Sequence, residues 1–147
     1  MSKINSPQRS VSIQTENAPK PVGLYPHARQ VGNLLFLSGV GPRKAGTSKI
    51  PGVELDNRGK IVSYDIAAQC HSVFQNVRAI LDASNANWID LVDVTVFLTN
   101  MDDDFAIYNK IYAEYFADNQ PCRTTVEINK LPTPIAIELK CIAALNS

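Results

Sequence analysis

The stretch PCRTTVEINKLPTPIAIELKCIAAL, residues 121–145, decides the fold. It reads as two apolar strands around a proline-bracketed turn. Extended backbone sends successive side chains to opposite faces. Arg123, Thr125 and Glu127 therefore share one face of the first strand, with Thr124 and Val126 on the other. In the second strand Ala136, Glu138, Lys140 and Ile142 lie opposite Ile135, Ile137, Leu139 and Cys141. An arginine and a glutamate thus stand in segments whose composition is that of buried sheet. Spacing leaves two readings open for Arg123 with Glu138. They form a structural ion pair, or rim charges at a subunit contact; or the planar guanidinium binds a substrate carboxylate while the glutamate orients water or exchanges a proton.

Upstream, Asp102–Asp104 are expected to supply the N-cap and first-turn carboxylates of a helix whose stripe is Phe105, Tyr108, Tyr112, Tyr115 and Phe116. Helical spacing without interleaved basic residues makes these aromatics core rather than a base-stacking surface. LVDVTVFLTN, 91–100, is β-branched and reads as a strand. A longer helix is expected from Ser63 as N-cap, with Ile66, Cys70, Val73, Phe74, Val77, Ile80 and Leu81 on one face. VGNLLFLSGV, 31–40, reads as one buried strand, and GPRKAGTSKIPGVELDNRGK as a long surface connection with room for a small hairpin. Residues 1–11 read as a loose arm, with VSIQT as a short strand.

This order of elements implies an α+β domain: a mixed sheet with both helices most simply on one face. LLFLSGV, VTVFL and IAIELKCIAAL are apolar at odd and even positions alike. Both sheet faces then call for burial, and two helices cover only one. The other face is expected to meet another subunit.

A chain of 147 residues, 45% hydrophobic, suits a single domain over 1–147. Fourteen basic residues balance fourteen acidic ones, so no field gathers nucleic acid or an anionic membrane. A small molecule or a protein is the expected partner. No apolar run approaches the ~20 residues of a membrane span, and the first nineteen residues lack the apolar core of a secretory signal. A soluble, cytoplasmic protein is expected. Cys70, Cys122 and Cys141 are odd in number and widely spaced, which predicts reduced thiols in apolar settings. With two histidines and no H-E-x-x-H or G-x-x-x-x-G-K pattern, the expected chemistry uses no metal and no cofactor. Tyr25, between Gly23-Leu24 and Pro26, is held in a non-helical turn and serves packing or ligand contact. His27 is either solvated surface or a proton shuttle. The glycines of SGVGP end a strand or let a ligand approach the backbone.

These segments together resemble the Rid family, also called the YjgF family, of small trimeric enamine and imine deaminases. The resemblance runs over about residues 12–144: TENAP (15–19), GLYPHA (23–28), the GN-x-x-x-x-SG strand at Gly32–Gly39, NVRAIL (76–81), VTVFLTNMDDDFAIYNKIYAEYF (94–116), PCRTTVEI, LP and IELKCIA. It implies a chorismate-mutase-like subunit and a homotrimer whose open sheet faces pack into a barrel-like centre, with three intersubunit clefts. Carried over by position, Arg123 matches the arginine that binds the substrate carboxylate, and Glu138 the glutamate that holds the hydrolytic water. Tyr25 matches the cleft tyrosine, Gly39 a backbone contact beside the substrate, and Thr125 the position whose backbone N–H meets the ligand. Departures are His27 within GLYPHA, where many members read GPYSQA, Thr125 where several carry cysteine, Asp103 where asparagine is common, and a longer connection from Arg43 to Tyr64. With the ending LPTPIAIELKCIA, these look most similar to the 2-aminomuconate deaminase branch. The implied reaction is hydrolysis of 2-aminomuconate to 4-oxalocrotonate and ammonia, with Arg29, Arg43 or Lys44 as a second cation for the dicarboxylate. The alternatives are a general 2-iminobutanoate/2-iminopropanoate (2-aminoacrylate) deaminase and a non-catalytic small-acid-binding regulatory trimer.

Overall fold

The computed structural model describes residues 10–146. In chain order the elements are β1 (Ser10–Ile13), β2 (Ala28–Val31), β3 (Leu34–Leu37), β4 (Val53–Leu55), β5 (Ile61–Tyr64), α1 (Ile66–Ala83), β6 (Leu91–Leu98), α2 (Met101–Tyr115), β7 (Cys122–Glu127) and β8 (Ile137–Ala144). A short 3-10 turn at Trp88–Asp90 leads into β6. Six strands form one mixed sheet in the order β1-β2-β3-β8-β6-β7, and β4 pairs with β5 in a separate hairpin. Every neighbour in the large sheet is antiparallel except β6 and β7, which α2 joins as a crossover. The predicted mixed sheet with both helices on one face is the one observed, with β7 as an open edge.

Period-2 burial sets the sheet against the helices. Val94, Val96 and Leu98 of β6 stand in register with Cys141, Leu139 and Ile137 of β8, and all six are buried. The whole predicted α1 stripe is buried above them. Its Phe74 ring packs against Trp88, Tyr112, Tyr115 and Phe116 and so joins the two helices. On α2 the buried residues are Asp104, Tyr108, Ile111 and Tyr112, whereas Phe105 faces outward. Buried Cys70 and Cys141 have their thiol pKa pushed up to about 12 by desolvation, which keeps them protonated and inert. Cys122 is exposed, contrary to the apolar setting expected of it, because it begins the edge strand.

Local chemistry moved several boundaries. Residues 31–40 are not one strand: Gly32, at φ 60°, opens a two-residue turn with Asn33 and folds β3 back on β2. A positive φ at the first turn position followed by an ordinary one fits a type II′ hairpin, which suits the right-handed twist of strands. The preceding strand, ARQV, is too polar to announce itself. The cap of α1 is Asp65, whose carboxylate accepts from the N–H groups of Ala67 and Ala68, while Ser63 belongs to β5. Asn100 caps α2 by accepting from the Asp103 N–H, and Asp102–Asp104 fill the first turn. Of the expected arm, residues 1–9 lie outside the described residues, and Ser10 and Val11 belong to β1.

The face away from the helices carries Leu34 and Phe36 of β3, Thr95 and Phe97 of β6, Val126 of β7, and Glu138, Lys140 and Ile142 of β8, all partly or fully exposed. Phe36 pairs with Ile142, yet Val40 bridges Leu139, so β3 gains one residue over β8 between these points. This bulge contains Ser38 and Gly39. Replacing Asp65 by alanine should cost about 1 kcal/mol in urea unfolding. Ser63→Ala should stay within about 0.5 kcal/mol; equal losses in the two variants would put the cap back at Ser63.

Candidate functional site

Arg123 projects from β7 on the helix side of the sheet, in register with buried Val94. Its guanidinium carbon lies 4.7 Å from the Tyr112 ring centre and 5.5 Å from that of Tyr108, and Nη1 donates to Asn109 Oδ1 at 2.8 Å. The two rings hold the flat cation in place by cation–π attraction. One of its five donors is used within this cluster, and the side chain remains exposed. Thr125, two residues on, shares a 3.0 Å hydrogen bond with the Tyr108 hydroxyl. In a parallel pair the N–H and C=O of one residue point the same way and alternate along the strand. Because the Ile128 N–H bonds Leu98 on β6, the main-chain groups of Thr125 point out along the open edge.

Glu138 stands on β8 in register with Phe97, which in turn pairs with Val126. It therefore projects from the face opposite Arg123. Within one chain the two form no ion pair and cannot meet, so the structural reading is confined to charges at a contact between subunits. Burial pushes the Glu138 carboxyl above the usual glutamate range. Its neighbour in the bulge is Gly39, where a Cβ would come within 2.8 Å of Oε2. Only glycine lets the carboxylate lie against the backbone there. Lys140, two residues along β8, shares the Glu138 face; its ammonium donates to the Leu37 carbonyl, and burial lowers its pKa.

The loop from Thr15 to His27 forms the rim. Tyr25 is exposed, and its hydroxyl accepts from the Val22 N–H, leaving the phenolic hydrogen to donate outward. An open groove of about 1010 Å³ runs past Leu24, Tyr25 and Glu16, and a constriction of about 30 Å³ brings Tyr25, Ser38, Gly39 and Arg43 together. His27 departs from both the solvated surface group and the proton shuttle expected of it. It is buried; the Thr15 N–H donates to Nδ1, and Nε2–H donates to the Pro19 carbonyl. With both nitrogens engaged by backbone it fixes the loop as a neutral tautomer and has no free group for a ligand. Arg29 donates to the Ser10 hydroxyl and Arg43 to the Lys20 carbonyl, Lys44 is exposed, and Asp103 closes on Asn100. Sequence reading missed Asn109 and the stacking role of Tyr108 and Tyr112, because no linear spacing announces a contact made by a crossover. Among the described residues no group of three or more His, Cys, Asp or Glu is placed to hold a metal ion, and no helix is long and apolar enough to cross a membrane.

Comparison with known proteins matches residues 15–145 to a family model described as "Endoribonuclease L-PSP". A RutC family protein of Pyrococcus horikoshii is 42% identical over 131 residues, spanning 89% of this chain and 94% of the relative. The chloroplastic Reactive Intermediate Deaminase A of Arabidopsis thaliana is 38% identical over 133 residues, 90% of this chain and 65% of that protein. Among solved structures, the E. coli YjgF gene product superposes with a TM-score of 0.79 at 32% identity, covering 92% of this chain and 99% of the other. E. coli TdcF with bound serine gives a TM-score of 0.80 at 29% identity over 92% and 99%.

The raised Glu138 pKa has a consequence for stability. A carboxyl that holds its proton more tightly when folded than when unfolded stabilises the fold at low pH, and that contribution is lost as pH rises through the folded value. Glu138→Gln should therefore be more stable than the parent in denaturant at pH 7, with the advantage shrinking as pH falls through the raised folded value and gone once pH is below the ordinary glutamate range. An advantage that does not vary with pH would remove the ionisation as its cause.

Proposed function

The chain belongs to the L-PSP family, the family of YjgF, and from that premise we propose that it hydrolyses the enamine or imine of a small carboxylic acid, releasing ammonia. The site is completed by a second copy of the chain. The observation that carries this reading is the placement of Arg123 and Glu138 on opposite faces of one sheet. Neither makes a site alone, and a second subunit laid against the partly apolar open face would bring the Glu138 of one copy toward the Arg123 edge of the next. A homotrimer with clefts between subunits, as the family resemblance implies, meets that requirement and covers the open face.

In such a cleft the Arg123 fork, already stacked on Tyr108 and Tyr112, binds the carboxylate next to the reacting carbon. The outward Thr125 N–H and the backbone at Gly39 supply further contacts. The enamine first tautomerises to an imine. Glu138 then takes a proton from water as the oxygen adds to the C=N carbon and passes it to the nitrogen, giving a carbinolamine; it next takes the carbinolamine hydroxyl proton and delivers it to nitrogen as the C=O forms and the C–N bond breaks. Ketone and ammonia leave. A carboxyl with a raised pKa suits both transfers, and Tyr25 can donate a hydrogen bond to the departing nitrogen. Binding substrate beside these groups supplies orientation, and every step uses side chains, backbone and water.

Within this class we read the substrate as 2-aminomuconate, on the sequence departures at His27, which acts here through the rim loop, at Thr125 and at Asp103, and on the longer connection from Arg43 to Tyr64 that contains the β4–β5 hairpin. The second reading, 2-aminoacrylate and related small imines, is favoured by the name of the Arabidopsis relative and by the serine bound to TdcF, a compact monocarboxylate. A purely anion-binding regulatory module would want the arginine but would gain nothing from a half-buried glutamate beside its ligand. The decisive measurement is ammonia release from freshly generated 2-aminomuconate and from 2-aminoacrylate, with light scattering in parallel. Arg123→Lys should lower kcat/KM roughly ten- to a hundredfold without dissociating the assembly, because lysine keeps the charge and loses the fork. Glu138→Gln should depress kcat while binding of a carboxylate ligand holds or tightens. Full activity in the lysine variant would reject the bidentate clamp, and full turnover in the glutamine variant would remove Glu138 from the chemistry.

A further inference from the structure

We propose that Lys140 forms a second anion subsite on the Glu138 face, so that the site takes a small dicarboxylate in preference to a monocarboxylate. This inference rests on the two-copy site described above and names a residue for the second carboxylate. Glu138 and Lys140 project from the same face of β8, and residues two apart on a strand are separated by about 6.7 Å of rise. Because Glu138 serves the reacting carbon, that span is comparable with the reach from this carbon to the far carboxylate of an extended five- or six-carbon diacid. Both side chains also converge on one segment of β3. The ammonium is anchored on the Leu37 carbonyl, and the Glu138 carboxylate lies against Gly39, two residues on in the same bulge.

The lysine is poised for a ligand. Its ammonium has three donors, and the Leu37 carbonyl takes one. It is half-buried, and desolvation disfavours its charge. No carboxylate among the described residues figures among the groups that offset this cost. A ligand carboxylate would do so, with the donors already held in place. The cations suggested by sequence are placed less well. Arg43 borders the constriction with Tyr25 and Gly39, but its guanidinium is engaged by the Lys20 carbonyl and its backbone carbonyl accepts from Asn76 of α1. Arg29 shares the open face but stands on β2, with β3 between it and β8, and donates to Ser10.

The test compares binding of 2-oxoglutarate and pyruvate by calorimetry, and turnover of 2-iminoglutarate and 2-iminopropanoate, for the parent, Lys140→Met, Lys140→Arg and Arg43→Met. The parent should favour the dicarboxylate of each pair. Lys140→Met should lower that preference roughly ten- to a hundredfold, the worth of a charge-assisted contact, and Lys140→Arg should retain most of it. Lys140→Gln, which keeps a donor for the Leu37 carbonyl and removes the charge, carries the same expectation should the methionine variant fail to assemble. A parent without preference, a preference that survives loss of the Lys140 charge, or one abolished instead by Arg43→Met overturns the proposal. So does an equal loss on both ligands, which marks Lys140 as structural. Absence of turnover on both imines, with a Lys140-dependent binding preference intact, would reject the deaminase reading and support the second subsite.

Discussion

The pleat of β6 and its two neighbours constrains everything else in this molecule. β6 is paired in parallel with β7 and antiparallel with β8, and one register line runs through Arg123, Val94 and Cys141 while another runs through Val126, Phe97 and Glu138. Side chains alternate with a period of two, so the first line faces the helices and the second faces away. A one-residue slip would exchange them, but it would also turn Val94, Val96, Leu98, Ile137, Leu139 and Cys141 out of the core. Each fully buried aliphatic side chain of this kind contributes about 1.5 to 3 kcal/mol. Hydrophobic burial therefore holds the separation of the two charged groups.

That separation explains how the fold hosts costly groups. Arg123 is placed at an open edge, where its side chain remains exposed, and α2 supplies its stacking partners through the same crossover that makes β7 parallel. Glu138 and Lys140 instead carry a desolvation cost on the second face. Their neighbourhood is also where the ladder is irregular: the bulge and Gly39 make room for the carboxylate. A departure from regular pairing and an incomplete solvation of charge coincide here, as expected where function rather than stability selects the residues.

A comparable arrangement secures the surroundings. The Tyr64 hydroxyl donates to buried Asp104 at 2.5 Å, tying the end of the β4–β5 hairpin to the first turn of α2. His27 performs the same service for the rim loop by joining Thr15 to Pro19, which fixes the base from which Tyr25 projects. Polar residues that resemble chemistry in the sequence thus act here as hydrogen-bonded struts.

The amino-acid sequence by itself determined what local periodicity can encode. The α1 stripe, the β6 run, the two closing strands and the shortage of helix to cover both sheet faces follow from the alternation of apolar residues, and Arg123 and Glu138 stand out against it. The Gly32–Asn33 turn and the Asp65 cap were legible in principle, since each rests on a few adjacent residues. Tertiary structure alone decided the rest. Whether His27 is free depends on backbone groups eight and twelve residues away. The Asn109 contact with Arg123 depends on the angle at which α2 crosses β7. The opposition of Arg123 to Glu138 depends on the register of three strands drawn from residues 91 to 144. No segment carries such relations within itself, because they arise only when the core closes and one register buries more apolar surface than any other.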